Sequence, residues 1–365
     1  MGLVKKESDP IRLSESILSL VCQAVTACWR QQDTPERYYA RAKGLDSMKT
    51  VLITSKEFGS QIDIEHRRNL EQYFFENGWQ IMWNATEAAM TAGDIIQLNA
   101  RQLLDAILVY SSSDEISREV FKHCRNLKVV SRHGVGIENI DVSAAQQAGV
   151  QIKTTDKMPG YETVADLTFA LMLSLARKVP QIDSNLRKNG WYRPISSDVW
   201  GKTLGIFGLG RIGKAVARRA KGFDMRILVN TRHPDEAFVT AHGLSLCTKE
   251  ELLAESDFVS LHCALTAETK HMIGAPEFGL MKPSAYLINT ARAGLVCQRE
   301  LLAALKSKKI AGAAVDVFEQ EPAVNDPIIT EDLDNVVATA HVGSYTVESL
   351  RRMDFLVVQN IVAAG

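Results

Sequence analysis

The sequence reads as an α/β protein built on parallel sheets, and three observations lead there. Short apolar runs of strand length alternate with helix-forming segments from residue 48 onward. One of them, Leu204-Gly205-Ile206-Phe207, runs directly into glycines spaced G-x-G-x-x-G at Gly208, Gly210 and Gly213. With 365 residues the chain is long enough for two domains, each with its own core.

Residues 1–47 stand apart. Positions 17–29 are mostly apolar and could form a helix after Ser14 as a cap, while Glu7, Asp9 and Glu15 do not suit a basic leader. The segment is expected to be an extension of unassigned role. Strands are then expected over 51–54, 80–83, 106–109 and 127–131, with helices near 67–77 and 117–124. These make a first domain over 48–150 that has no glycine phosphate cradle. Its last strand ends in His133-Gly134-Val135-Gly136, and ligands of open α/β sheets sit beyond the carboxyl ends of strands. The amides of Val135 and Gly136 could hold a small carboxylate, although a plain turn before a helix beginning near Asp141 would look the same. A helix over 163–177 is expected to lead into a second, dinucleotide-binding domain over 151–343. A closing helix over 346–364 is expected to return to the first domain within 344–365.

The glycine run has a physical reading as a dinucleotide cradle. Gly208 would make the tight turn, Gly210 would admit backbone close to a pyrophosphate, and Gly213 would let the new helix pack on the strand. The amides of Leu209, Arg211 and Ile212 would then face the phosphates at the helix start. A helix over 214–221 and a strand over 226–229 complete a βαβ unit. That second strand is followed by Asn230-Thr231-Arg232, with no acid before Asp235. A carboxylate at this place suits the ribose hydroxyl of NAD, and an arginine suits the 2′-phosphate of NADP. NADPH is therefore the favoured cofactor, through Arg232 with Asn230 and Thr231. NAD(H) stays possible if Asp235 turns in.

Composition narrows the ligand class. Forty-two basic residues balance 43 acidic ones for a formal charge of −1, which gives no support to a nucleic-acid or acidic-membrane partner. Cys22, Cys28, Cys124, Cys247, Cys263 and Cys297 form no C-x-x-C pair or His/Cys cluster, so neither a disulfide framework nor a metal site is expected. No apolar run reaches the length of a membrane span. A reducing cytoplasm is the simplest setting, and small metabolites are the default ligands.

Three polar residues follow apolar strands of the second domain. Arg292 comes after 285–289, Glu321 after 313–315 and its continuation to Phe318, and His341 after 336–340. Hydride transfer to a 2-keto acid needs a cation on the carboxylate and carbonyl, and an acid for the forming alkoxide. Arginine suits the first task and histidine the second, with a glutamate to favour the protonated ring. Taken singly, each of the three also fits a structural role.

Longer motifs add to this. The glycine fingerprint, Leu280-Met281-Lys282-Pro283, Ile288-Asn289-Thr290-Ala291-Arg292, Ile310-Ala311-Gly312-Ala313-Ala314-Val315-Asp316-Val317-Phe318-Glu319-Gln320-Glu321-Pro322 and His341-Val342-Gly343 together resemble the D-isomer-specific 2-hydroxyacid dehydrogenases over residues 48–365. The resemblance implies two doubly wound domains, a flavodoxin-like substrate domain and a Rossmann cofactor domain, with NAD(P) in the cleft and usually a homodimer. It assigns catalysis to Arg292, Glu321 and His341. It assigns the substrate carboxylate to His133, Gly134, Val135 and Gly136, and cofactor contacts to the glycine turn, Thr290, Asp316 and Thr163. Asp166, Gly160, Ala293 and Cys297 depart from the family's usual residues around the site. The expected reaction is reduction of glyoxylate or hydroxypyruvate. Ser111-Ser112-Ser113 lacks the arginines of a phosphoglycerate-specific member, which remains the alternative enzyme. A dinucleotide-sensing co-repressor is the alternative of another class.

Overall fold

The computed structural model describes residues 48–365 apart from positions 87, 157, 159 and 332, so the helix expected over 17–29 lies outside the described residues. The chain divides into two compact units. One runs to Thr154 and resumes at Phe355–Gly365, and the other is Thr155–Asp354.

The first unit holds β1 (Lys49–Ile53), α1 (Ile64–Glu76), β2 (Trp79–Trp83), α2 (Ala92–Arg101), β3 (Ala106–Val109), α3 (Arg118–His123), β4 (Val129–Arg132), α4 (Val142–Gln147) and β5 (Gln151–Lys153). Its sheet is parallel throughout, in the order β2-β1-β3-β4-β5. Side chains alternate across a strand, so β1 sends Leu52 to one face and Val51 and Ile53 to the other. Leu52 packs with Ile107, Val120 and Phe121. Val51 and Ile53 pack with Phe74, Trp79, Val357, Val358 and Ile361. Burial on both faces is why these strands read as continuous apolar runs. Polar caps start the helices: His66 N donates to Asp63 Oδ1 at 2.6 Å, and Thr91 with Asp94 forms a capping box.

The second unit contains α5 (Gly160–Ala176), α6 (Val179–Arg187), β6 (Thr203–Phe207), α7 (Arg211–Ala220), β7 (Arg226–Asn230), α8 (Glu236–His242), β8 (Ser245–Leu246), α9 (Lys249–Glu255), β9 (Phe258–Leu261), α10 (Ala275–Leu280), β10 (Tyr286–Asn289), α11 (Gln298–Lys306), β11 (Gly312–Val315), α12 (Pro327–Thr330) and β12 (Val336–Ala338). The helix α13 (Val347–Ala364) starts in it. The seven strands are parallel in the order β12-β11-β10-β9-β6-β7-β8. The direction of winding reverses between β6 and β9, which opens a crevice at their carboxyl ends. Leu204 and Ile206 meet the α7 side chains Ala215, Val216 and Ala217 on one face. Phe207 packs on the other with Leu252, Val259 and Leu261.

Three expectations change. Strand β5 pairs with β4, so the first unit extends past residue 150 to Thr154. Residues 344–354 stay with the second unit, and only Phe355–Gly365 returns to the first. Helix α5 is not a mere connector, because Phe169, Met172 and Leu175 are buried in the core that holds Leu204 and Ile206. Among the described residues, no helix is long and apolar enough to cross a membrane.

Candidate active site

The three glycines after β6 meet three different constraints. Gly208 has φ +91°, and a Cβ on it would lie 2.7 Å from Cys263 N, so the turn presses against the end of β9. A Cβ on Gly213 would lie 2.1 Å from Gly208 O, so only a bare backbone lets α7 sit this close to β6. A Cβ on Gly210 would meet nothing within 4 Å. That opening faces the start of α7, whose cap Gly210 makes no side-chain hydrogen bond to the first amides. Tight turn, close packing and an open approach to a helix start are what a pyrophosphate needs, so the residues present fit a dinucleotide. Leu209 N donates to Thr231 Oγ1 at 3.4 Å, and Arg211 donates to the Asp156 carbonyl.

The polar groups after β7 are unequally engaged. Asn230 Nδ2 donates to the Cys247 carbonyl at 3.0 Å, which ties this amide to the sheet instead of leaving it wholly for a phosphate. Asp235 caps α8 by accepting from Phe238 N at 3.0 Å and is also paired with Lys214. The Lys214 hydrogen bond leads in holding its carboxyl below the usual range. Arg232 is 69% exposed, with Glu268 3.9 Å away.

The carboxyl ends of β10, β11 and β12 bring the acid–base candidates together. His341 Nδ1 lies 2.8 Å from Glu321 Oε2 and 3.0 Å from Oε1. Phe318 N donates to Glu321 Oε1 at 3.1 Å, which fixes the carboxylate from the other side. Burial raises the Glu321 carboxyl, but the His341 hydrogen bond and charge, the Phe318 amide and the Arg292 charge outweigh it and hold it below the usual range. Arg292 is placed by its own turn: Asn289 Nδ2 donates to Arg292 O at 2.9 Å, and Arg292 Nη1 donates to Ala291 O at 2.8 Å.

Asp316, expected among the cofactor contacts, is bonded within its own unit. Burial pushes its carboxyl up. Its Oδ1 accepts from Thr339 Oγ1 at 2.6 Å and Val342 N at 2.8 Å, and its Oδ2 accepts from Gly343 N at 2.9 Å. Both oxygens thus grip the turn that carries His341, whose φ is +53°. Thr163 is buried on α5, and Thr290 lies Oγ1 to Oγ1 3.0 Å from Thr168 of that helix. Sequence reasoning passed over His262, after β9. Its Nε2 is 2.8 Å from Ser260 Oγ, its Nδ1 is enclosed with no partner among the described residues, and burial pushes the ring down to about 3. It also passed over the first unit's Arg132 and Asp114, both buried. A charge closing an apolar strand was the available signal for Arg132.

In the first unit, His133 N donates to Val109 O at 2.8 Å, and the His133 ring lies 4.8 Å from that of Tyr110. Gly134 has φ +137° and Val135 is exposed. Asp114 Oδ2 accepts from Thr54 Oγ1 at 2.6 Å and Ser111 N at 3.0 Å, and its Oδ1 accepts from Met90 N at 2.9 Å. No group of three His, Cys, Asp or Glu among the described residues could hold a metal ion.

Comparison with known proteins agrees with this geometry. Residues 169–343 match the family model described as the D-isomer specific 2-hydroxyacid dehydrogenase, NAD binding domain. A glyoxylate reductase of Korarchaeum cryptofilum is 45% identical over 265 residues, 70% of this chain and 78% of that protein. A D-3-phosphoglycerate dehydrogenase of Methanocaldococcus jannaschii is 37% identical over 290 residues, 78% of this chain and 55% of that one. The crystal structure of an NADPH-dependent glyoxylate/hydroxypyruvate reductase from Sinorhizobium meliloti, in complex with NADP and malonate, has a TM-score of 0.74 at 29% identity and covers 87% of this chain and 93% of its own. The chain belongs to the D-isomer-specific 2-hydroxyacid dehydrogenases, oxidoreductases of the CH–OH group that interconvert 2-hydroxy acids and 2-keto acids.

Proposed function

We propose that the protein reduces a small unphosphorylated 2-keto acid, glyoxylate or hydroxypyruvate, to the D-2-hydroxy acid with NADPH in preference to NADH. The observation that carries this reading is the double approach of both Glu321 oxygens to His341 Nδ1. With Nδ1 engaged, Nε2 is the ring nitrogen left to give a proton to the forming alkoxide. Arg292 orients the keto acid and polarises its carbonyl. In the first unit, the turn of His133, Gly134, Val135 and Gly136 takes the carboxylate. Bound NADPH supplies the hydride.

The preference for NADPH is supported by Arg232, exposed and only loosely paired, while Asp235 is held by its cap and by Lys214. The relative named for phosphoglycerate keeps a second substrate in view, but Ser111, Ser112 and Ser113 offer no cation for a phosphate. A second copy of the chain is the proposed partner, because Trp191, Ile195 and Trp200 are 83%, 93% and 67% exposed. Sedimentation at equilibrium reads that directly, and a monomer at micromolar concentration refutes it. The setting is proposed to be the cytoplasm, where Cys124, Cys247, Cys263 and Cys297 stay as free thiols.

The test is loss of nicotinamide absorbance with each keto acid and each cofactor. His341→Ala should lower the reduction rate by roughly 10²–10⁴ and leave NADPH affinity nearly unchanged. A variant as fast as the parent removes His341 from the proton step. A protein that binds NADPH but turns over no keto acid supports the sensor reading.

A further inference from the structure

Beneath the first unit's turn lies a buried guanidinium. Arg132, the last residue of β4, is 8% exposed. Its Nη1 donates to Val109 O at 3.2 Å, Tyr110 O at 2.5 Å and His133 O at 2.7 Å, and its Nε donates to Gly136 O at 3.2 Å. A Cβ built on Gly134 would stand 3.7 Å from Arg132 Cζ, so the guanidinium lies directly against that residue.

Peptide geometry turns these bonds into a statement about the opposite face. The peptides of this turn are trans. In a trans peptide the C=O and the following N–H point in opposite directions. Holding His133 O on the guanidinium therefore aims Gly134 N–H away from it, and holding Gly136 O does the same for Ile137 N–H. The amides of residues 134–137 find no acceptor among the described residues. A run of unpaired amides with a cation behind it forms a concavity for an anion.

We propose that Arg132 is the positioning residue for the substrate's carboxylate: it touches no substrate, but it fixes the first and last peptides of the turn, aiming the amides of Gly134 and Ile137 outward, and places a buried guanidinium behind them. The inference rests on the reading of this turn as the carboxylate site. Lysine would keep the charge and lose the fork of donors that holds several carbonyls at once. Glutamine would keep one amide donor group and lose the charge.

Arg132→Lys and Arg132→Gln are compared with the parent, each loaded with NADPH. Expected is a rise in the glyoxylate KM of roughly tenfold or more, the effect of weakened hydrogen bonds to a charged group. The kcat should change by less than about threefold, with NADPH affinity near that of the parent. Affinity for oxamate should fall in step, and affinity for neutral oxamide should not. A purely structural role would weaken acid, amide and cofactor alike, and that result overturns the proposal. So does a folded variant with the parent's KM and oxamate affinity. Should neither variant fold, hydrogen exchange on the parent decides: oxamate must slow the amides of 134–137, and unchanged exchange overturns the proposal. A parent that binds oxamate at this turn, with those amides protected, but reduces no keto acid supports the inference while the proposed function falls.

Discussion

Each unit carries a glycine-containing turn at the carboxyl end of a parallel strand, and the two are built by opposite means. The turn after β6 is shaped by what is missing. Side chains at Gly208 and Gly213 would strike backbone at 2.7 and 2.1 Å. The turn after β4 is shaped by what is present, a guanidinium whose donors collect the carbonyls of Val109, Tyr110, His133 and Gly136. A turn made by omission writes itself into the sequence as a spacing of glycines. A turn made by a buried group depends on contacts between β3, β4 and the loop, which no spacing records.

Substitutions can break or sharpen this contrast. The largest effect is expected from Gly213→Ala, because the new methyl must push α7 off β6. NADPH binding should weaken by roughly a hundredfold or more and the melting temperature should drop, read by fluorescence titration and calorimetry. Gly210→Ala should fold like the parent, since nothing lies within 4 Å of the added carbon, yet lose about tenfold in NADPH affinity. Equal melting losses in the two variants would show that Gly210 is a packing residue too. Arg232→Ala comes next, raising the KM for NADPH about five- to tenfold and leaving that for NADH alone. If both cofactors weaken alike, the arginine is not reading a phosphate.

The smallest effect at neutral pH belongs to His262, which follows the strand backing the glycine turn. Its folded-state value is lowered to about 3, so its contribution is fully present above its ordinary range near 6.5 and is lost as pH falls toward 3. The parent should lose stability by up to about 1.4 kcal/mol per pH unit across that window from this group. His262→Gln should show a shallower decline in chemical unfolding measured from pH 7 to 4. Parallel curves would mean that the ring is hydrated in solution.

Legibility followed the same division. The strands named from the sequence stand out because burial on two faces makes them continuous apolar runs, as at Leu287-Ile288 and Ile107-Leu108, whereas β8 and β9 were not singled out. Strand β5 was passed over because Gln151-Ile152-Lys153 is short and lies at a sheet edge, with only Ile152 partly covered. Arg292, Glu321 and His341 were singled out through residue type, strand ends and motif, and the structure brings Glu321 and His341 into contact. Asp316 was read as a cofactor contact, and its neighbours in sequence say nothing of Thr339, Val342 and Gly343, which meet it only once β11 and β12 lie side by side. Arg132 and Asp114 were missed for that reason as well, since their partners come from separate strands and loops.

The return of Phe355–Gly365 to the first unit bears on the order in which the protein is made. Val357, Val358 and Ile361 are fully enclosed with Val51, Phe74 and Trp79. A ribosome synthesising this chain releases β1 through β5 early, then must deliver all of Thr155–Asp354 before those three side chains emerge. The half of the molecule translated first is thus the half completed last. During the interval an apolar face of its sheet is left waiting, and this is the surface a nascent-chain chaperone would meet.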